Sequence, residues 1–302
     1  MRPYLVLVPI ALVLSGCGST SAPPARSGTV RVVTTITQLT DFAEVIGGSH
    51  VKVFGVLKAN VDPHDYEPSP ADLQQIADAD VLIKNGVDLE RWFETSIKSA
   101  EPSGEVVDAS KGVKIREGSG SAEESSGDPH IWQNPRNVEV MVHDIERALE
   151  RADPAHRADY RRNEARYERA LTTLDAEVAA RLRALLNKNV VTNHDAFGYY
   201  LDRYGLRFVG SIIPSFDTQA ELSAKDIKRI VAKIRDTGVK AVFSESSLPP
   251  KTANTIGREA GVMVVAGEDA LYGDTLGPPG SDGDTYLKMI RHNTRAFVDS
   301  LS

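Results

Sequence analysis

The feature that most constrains the fold is a long amphipathic stretch at residues 154–186. Its apolar and aromatic residues recur at steps of three, four or seven, the spacing of one face of an α-helix. They are Tyr160, Tyr167, Leu171, Leu174, Val178, Leu182 and Leu185. Pro154 suits the first turn of such a helix. At about 1.5 Å per residue, the helix would be a rod of about 50 Å, long enough to join two lobes.

Short β-branched or apolar runs alternate with helical patterns on both sides of this rod. Strands are predicted at residues 29–35, 51–57, 80–84, 189–192, 207–212, 239–244 and 262–265. Helices are predicted at residues 36–46, 70–79, 89–97, 196–204, 224–236, 250–260 and 284–301. Such alternation is typical of parallel sheets covered by helices. The predicted fold class is therefore α/β, with two lobes, each a parallel sheet flanked by helices, joined by one long backbone helix.

The amino terminus has the pattern of an export signal. A basic start at Arg2 is followed by an uncharged apolar run at residues 4–14, too short for a bilayer span of about 20 residues. The run ends in Leu14-Ser15-Gly16-Cys17, which resembles the bacterial lipobox, and Cys17 is the only cysteine in the chain. We expect Cys17 to be lipidated and the protein to be extracytoplasmic and anchored to the cell membrane.

These patterns divide the chain into five parts. They are a signal peptide with its lipobox (1–17), a Ser/Pro/Gly/Ala tether (18–28), an N-terminal lobe (29–152), a linker helix (153–186) and a C-terminal lobe (187–302). Residues 114–127 are polar and rich in Gly and Ser, which predicts a surface loop. The formal net charge of −7 argues against a nucleic-acid partner.

Three of the seven histidines occupy the same kind of position, in a loop or just after a predicted strand. His64 follows the strand at 51–57, and His194 follows the strand at 189–192 directly. Parallel sheets bind ligands beyond the carboxyl ends of their strands. His64 and His130 also share the pattern Asp-Pro-His, in which proline stiffens the approach to the side chain. The other four histidines are predicted to be solvated: His50, His143, His156 and His292.

Several segments, in order, resemble the cluster 9 (cluster A-I) metal-binding proteins of ABC importers, a family of zinc- and manganese-specific solute-binding lipoproteins. The segments are VDPHDYEPSP at 61–70, KNGVDLERW at 84–92, DPHIW at 128–132, NHDAFGYY at 193–200, FSE at 243–245, YGDTL at 272–276 and GDTYLKMI at 283–290. The resemblance implies four metal ligands, two from each lobe: His64, His130, His194 and Asp274. It also implies a permease and an ATPase in the cytoplasmic membrane as partners, and we expect a monomer.

Three imidazoles and one carboxylate suit Zn²⁺, whereas Mn²⁺ prefers more oxygen ligands. Manganese-specific relatives often have Glu at the third ligand position, where this chain has His194. Zinc is therefore favoured as the transported ion, with manganese as the alternative. Many zinc-specific relatives carry a His-rich acidic loop before the second ligand, but the corresponding loop here, 114–127, has no histidine.

Ligating histidines usually donate their second ring N–H to an oxygen. Candidates for that role are Asp62, Asp128, Glu67 and Glu245. Asp62 and Asp128 could instead only shape the Asp-Pro turns. Three other functions remain open at this stage, one of which is a binder of an organic solute on a similar two-lobe scaffold. A zinc hydrolase would need three ligands and an open water position, and would use Asp274 as a base. A surface adhesion lipoprotein would need an exposed docking surface.

Overall fold

The computed structural model describes residues 28–118 and 125–302. Cys17, the predicted signal peptide, nearly all of the tether and the middle of the predicted loop lie outside the described residues. No helix in the described part of the chain is long and apolar enough to cross a membrane.

Each half of the chain forms a four-stranded parallel sheet. The N-terminal sheet has the order β2-β1-β3-β4, from β1 (Val30–Thr34), β2 (Val51–Gly55), β3 (Val81–Lys84) and β4 (Glu105–Asp108). The C-terminal sheet has the order β6-β5-β7-β8, from β5 (Asn189–Thr192), β6 (Arg207–Ser211), β7 (Ala241–Phe243) and β8 (Met263–Val265). The strand order is the same in both sheets. The predicted fold class is confirmed.

Nine helices of the described residues cover the sheets and connect them. They are α1 (Thr37–Gly47), α2 (Pro70–Asp78), α3 (Arg91–Ala100), α4 (Pro135–Ala152), α5 (Arg157–Arg183), α6 (Gly198–Tyr204), α7 (Ala224–Thr237), α8 (Lys251–Ala260) and α9 (Tyr286–Leu301). Two of them begin with a capping box, in which serine and aspartate bond reciprocally to the first backbone amides. Ser69 and Asp72 cap α2, and Ser223 and Asp226 cap α7.

The long helix α5 is shorter at both ends than the pattern predicts. Residues Pro154–His156 form a separate 3₁₀ turn, so the α-helix begins at Arg157. The predicted apolar face of α5 is buried. One continuous apolar core includes this face, α1, α4 and α9, and reaches both sheets. The two lobes therefore share packing along the helix that joins them.

Two elements, β4 and α4, come in addition to those predicted from the sequence. Only Val107 of β4 is buried, so this short edge strand carries almost no alternating pattern. The helix α4 does have a helical apolar spacing, at Val138, Met141, Val142, Ile145 and Leu149. Because α4 packs against both α1 and α5, it belongs to the core that supports the N-terminal sheet.

Candidate metal centre

Four side chains from four loops meet where the two lobes face each other. His64 lies in the loop after β2, His130 in the loop after β4, His194 directly after β5, and Asp274 between β8 and α9. One ligand atom from each lies within 4.8 Å of the others. The side chains of His130, His194 and Asp274 are 0% exposed, and that of His64 is 5% exposed. The structure thus gathers all four residues that the resemblance implies.

The distances between these atoms are those of a small coordination site. His130 Nε2 lies 3.2 Å from His194 Nε2, and each of these nitrogens lies 3.4 Å from an Asp274 oxygen. His64 Nε2 lies 3.8 Å from Asp274 Oδ2. Ligand atoms at about 2.0–2.1 Å from a tetrahedral zinc ion would be about 3.3–3.4 Å apart. The arrangement therefore fits zinc, with His64 slightly withdrawn.

Three of the inward-facing atoms have no hydrogen-bond partner among the described residues. They are both carboxylate oxygens of Asp274 and Nε2 of His64, and all three are buried. A buried polar atom without a partner is costly, and such atoms are rare in folded proteins. A cation placed between them would interact with all three.

Two buried carboxylates hold the imidazole rings in place. Asp128 Oδ1 accepts hydrogen bonds from His130 Nδ1 at 2.8 Å and from the His130 backbone N–H at 3.0 Å. Glu245 Oε1 accepts from His194 Nδ1 at 2.8 Å and from the His194 backbone N–H at 3.2 Å. Because Nδ1 donates to the carboxylate, Nε2 is the nitrogen of each ring that faces the centre, where it can bind a metal ion once it has lost its proton.

Asp62 has a different role from Asp128, although both occur in the pattern Asp-Pro-His. Its Oδ1 accepts the His64 backbone N–H at 2.9 Å, and its Oδ2 accepts the Thr218 hydroxyl at 2.6 Å. The Trp92 indole N–H donates to the Pro63 carbonyl at 3.0 Å and fixes the same loop. Asp62 therefore shapes the turn and joins it to the other lobe.

The fourth sequence candidate for orienting a ring, Glu67, lies on the surface. Its side chain is exposed, and the described residues show no hydrogen bond from it to any of the four gathered side chains. Glu67 is therefore left out of the site.

Charge interactions favour a protonated form for two of the histidines in the metal-free site. Burial lowers the pKa of His130, but contacts with Asp128 and Asp274 outweigh it and raise the pKa to about 9. Burial is likewise outweighed at His194, where Glu245 and Asp274 raise the pKa well above its usual range. A metal ion that takes these nitrogens must displace their protons.

The pKa values of the other two side chains of the site are lowered instead. At His64 burial dominates and lowers the pKa to about 3, so this ring is neutral. Burial of Asp274 is opposed by His194 and His130, which hold the pKa of the carboxyl well below its usual range. The site thus contains a fixed negative charge and one neutral imidazole that needs no deprotonation.

Gly273 is a structural member of the site that sequence reasoning missed. Its carbonyl accepts the Trp132 indole N–H at 3.0 Å and the Gln133 amide at 2.8 Å, which ties the Asp274 loop to the other lobe. A Cβ at this position would overlap Glu245 Oε2. The available signal is the YGDTL segment at 272–276, where glycine precedes the carboxylate ligand candidate.

The prediction that the remaining histidines are solvated is wrong for His292. This residue is 3% exposed, and its Nε2 donates to the Ala270 carbonyl at 3.0 Å. His50 and His156 stack with ring centroids 3.9 Å apart, and each contacts a carboxylate. His143 is the most exposed of the group, with 58% of its side chain accessible.

Comparison with known proteins identifies the class to which this fold and site belong. Solved zinc-binding proteins of the TroA and ZnuA type superpose on this chain's two lobes of parallel sheet flanked by helices. The chain belongs to the family described as zinc-uptake complex component A, periplasmic, which matches residues 32–300. The resemblance to the cluster 9 family is thereby confirmed.

The relatives cover nearly the whole chain. The manganese-binding lipoprotein MntA of Bacillus subtilis (strain 168) is 30% identical over 95% of both chains. The manganese ABC transporter substrate-binding lipoprotein PsaA of Streptococcus pneumoniae is 28% identical, over 96% of this chain and 94% of that protein. The periplasmic zinc-binding protein TroA of Treponema pallidum superposes with a TM-score of 0.83 at 27% identity, over 91% of this chain and 100% of that one.

Proposed function

We propose that this protein binds a divalent transition metal outside the cytoplasm, zinc in preference to manganese, and delivers it to an ABC importer. The proposed ligands are His64 and His130 from the N-terminal lobe (29–152) and His194 and Asp274 from the C-terminal lobe (187–302). The observation that carries the proposal is the burial and close approach of these four side chains: one ligand atom from each lies within 4.8 Å of the others, and both Asp274 oxygens and His64 Nε2 have no hydrogen-bond partner in the described part of the chain. Asp128 and Glu245 are proposed to orient two of the rings.

The preference for zinc rests on the donor atoms. Three imidazole nitrogens and one carboxylate form a nitrogen-rich set, which suits zinc better than manganese. The relatives MntA and PsaA are named for manganese, and TroA for zinc. His194, at a position where manganese-specific relatives often have Glu, supports grouping this chain with the zinc binders.

The same geometry supports transport rather than catalysis. A catalytic zinc site keeps one position open for water, whereas a closed site of four protein ligands holds the ion. In this centre all four candidate side chains are at most 5% exposed, and Asp274 faces the histidines as a ligand would. We therefore propose that the protein is not an enzyme.

The relatives' names support proposals for the partners and the location. PsaA is named an ABC transporter substrate-binding lipoprotein and MntA a manganese-binding lipoprotein, so we propose that this chain works with a permease and an ATPase of the cytoplasmic membrane. We propose a lipid on Cys17 as its anchor and a monomer as its working form.

Parallel calorimetric titrations with zinc and with manganese test the proposal. The purified protein is first stripped with chelator, and the wild type is compared with a His64→Ala/His194→Ala variant. We expect tight binding of one zinc in the wild type, weaker manganese binding, and loss of the tight zinc event in the variant. A His156→Ala variant controls for removal of a surface histidine. Equal zinc binding in the wild type and the double variant would contradict the assignment.

A further inference from the structure

A second group of metal-binding side chains lies on the surface where α4 packs against α5. His143 and Glu146 lie one turn apart on α4, and Glu164 lies opposite them on α5. One ligand atom from each lies within 4.8 Å of the others. His143 Nδ1 is 2.7 Å from Glu164 Oε1, so two of the three are already in contact. None of these residues belongs to the interlobe centre.

Glu146 is the unusual member of this group. It is 1% exposed, and its Oε1 is buried without a hydrogen-bond partner among the described residues. Burial, together with the neighbouring Glu150 and Glu164, raises its pKa to about 7. A buried carboxylate beside two others creates a local excess of negative charge.

The arginines nearby leave that excess only partly compensated. Arg161 Nε is 3.8 Å from Glu146 Oε1, but Arg161 forms its closer contacts with Glu150. Arg147 also donates to Glu150, at 2.8 Å. Both arginines therefore form their closest contacts in this group with Glu150. A cation bound by His143, Glu146 and Glu164 would neutralise carboxylate charge that lies beyond hydrogen-bond distance of these arginines.

We propose that His143, Glu146 and Glu164 form a second, weaker zinc site, in which water completes the coordination. One imidazole nitrogen and two carboxylate oxygens are donors that zinc accepts, and a site with three protein ligands leaves a position for water. The difference in exposure supports this geometry. The His143 side chain is 58% exposed, whereas Glu146 is at the base of the group with 2% of its side chain exposed.

The second site has a consequence for the fold. Zinc bound there links α4 to α5, the helix whose buried face belongs to the core shared by both lobes. A ligand that binds the folded state and not the unfolded one stabilises the protein by an amount that grows with the logarithm of the ligand concentration above its Kd. Zinc beyond the first equivalent should therefore raise the thermal midpoint, independently of occupancy of the interlobe centre.

The test uses the purified protein loaded with one equivalent of zinc and then titrated further by calorimetry. We expect the wild type to bind a second equivalent of zinc more weakly than the first. In His143→Ala and in Glu164→Gln, this second binding event should be weakened tenfold or more, or abolished. The matched control is His156→Ala, since His156 Nδ1 contacts Asp153 at 2.6 Å and its side chain is 41% exposed. That pair is not part of a three-ligand group in the described part of the chain.

Each outcome decides the proposal. Absence of a second equivalent in the wild type overturns it, as does an unchanged second equivalent in both His143→Ala and Glu164→Gln. Repeating the titration in the His64→Ala/His194→Ala background separates the two sites. The weaker zinc-binding event should persist in that background, which would show that it does not depend on the proposed interlobe site. Circular dichroism of each variant checks that the fold is intact.

Discussion

Replacing Glu245 by glutamine tests whether the carboxylates behind the histidines determine metal affinity. Glu245 is 2% exposed, and its Oε1 accepts both the ring Nδ1–H and the backbone N–H of His194. Glutamine keeps the size and one acceptor oxygen but removes the negative charge. The His194 ring then loses one of the two charges that raise its pKa against the effect of burial, and its Nε2 becomes a weaker ligand.

The size of the effect follows from burial and geometry. Mutation of a group that supports a metal-bound histidine typically weakens metal binding by about 10–100-fold, or about 1.4–2.7 kcal/mol. We expect the upper part of that range for Glu245→Gln. The partner ring is fully buried, and the second glutamate oxygen lies against Gly273, where an amide has little freedom to rearrange.

Competition with a chromophoric zinc chelator measures the change. The matched control is Glu67→Gln, the same chemical change at an exposed residue outside the centre, which should leave zinc affinity within about twofold. If Glu245→Gln and Glu67→Gln have the same small effect, the carboxylate does not support His194 as a ligand, and the proposed arrangement of the C-terminal half of the site is wrong.

Four further predictions concern pH, packing and the anchor. Burial lowers the pKa of His130, but its two carboxylate neighbours outweigh this and raise it to about 9, so zinc must displace a proton at neutral pH. Apparent zinc affinity should therefore increase from pH 6 to about 9. Calorimetry in buffers of different ionisation enthalpy should detect the released protons. A zinc affinity that does not change with pH would exclude histidine ligation. Conversely, the stability that protonated His130 gives the metal-free protein is complete below about pH 6.5 and is lost as the pH rises through about 9, which urea unfolding measures. Gly273→Ala should destabilise the protein by about 1–3 kcal/mol in urea unfolding, because the added methyl group overlaps Glu245; unchanged stability would contradict that close contact. Cys17→Ala should move the protein from the membrane fraction to the soluble fraction, whereas continued membrane association would rule out the lipid anchor.

Part of the site could be predicted from local sequence. His64, His130 and His194 were identified by loops that follow strands and by the Asp-Pro-His pattern, because parallel strands bring their carboxyl ends to one edge. Asp274 could not be distinguished this way among 42 acidic residues, and only the family resemblance singled it out. The histidines that lie near Asp274 are far away in sequence, so no local sequence pattern predicts its position in the site.

Other features depended on tertiary contacts. Asp62 and Asp128 have the same sequence context, yet only Asp128 bonds to the following histidine's ring. The direction of a ring is set by packing from other segments, which the Asp-Pro-His pattern does not contain. His292 was predicted to be solvated because its neighbours are polar, but α9 turns that face towards the loop after β8. The strand and helix alternation, by contrast, is a local property, and it predicted the fold class.

X-ray absorption at the zinc edge, on protein loaded with one equivalent of zinc, tests the central claim most directly. The account predicts three imidazole nitrogens and one carboxylate group, at about 2.0–2.1 Å from the ion. In the His64→Ala/His194→Ala variant, the imidazole contribution to the spectrum should fall to that of one ring, or no defined imidazole contribution should be detected. A zinc ion surrounded mainly by water oxygens in the wild type, or an unchanged spectrum in the variant, would show that the metal binds elsewhere.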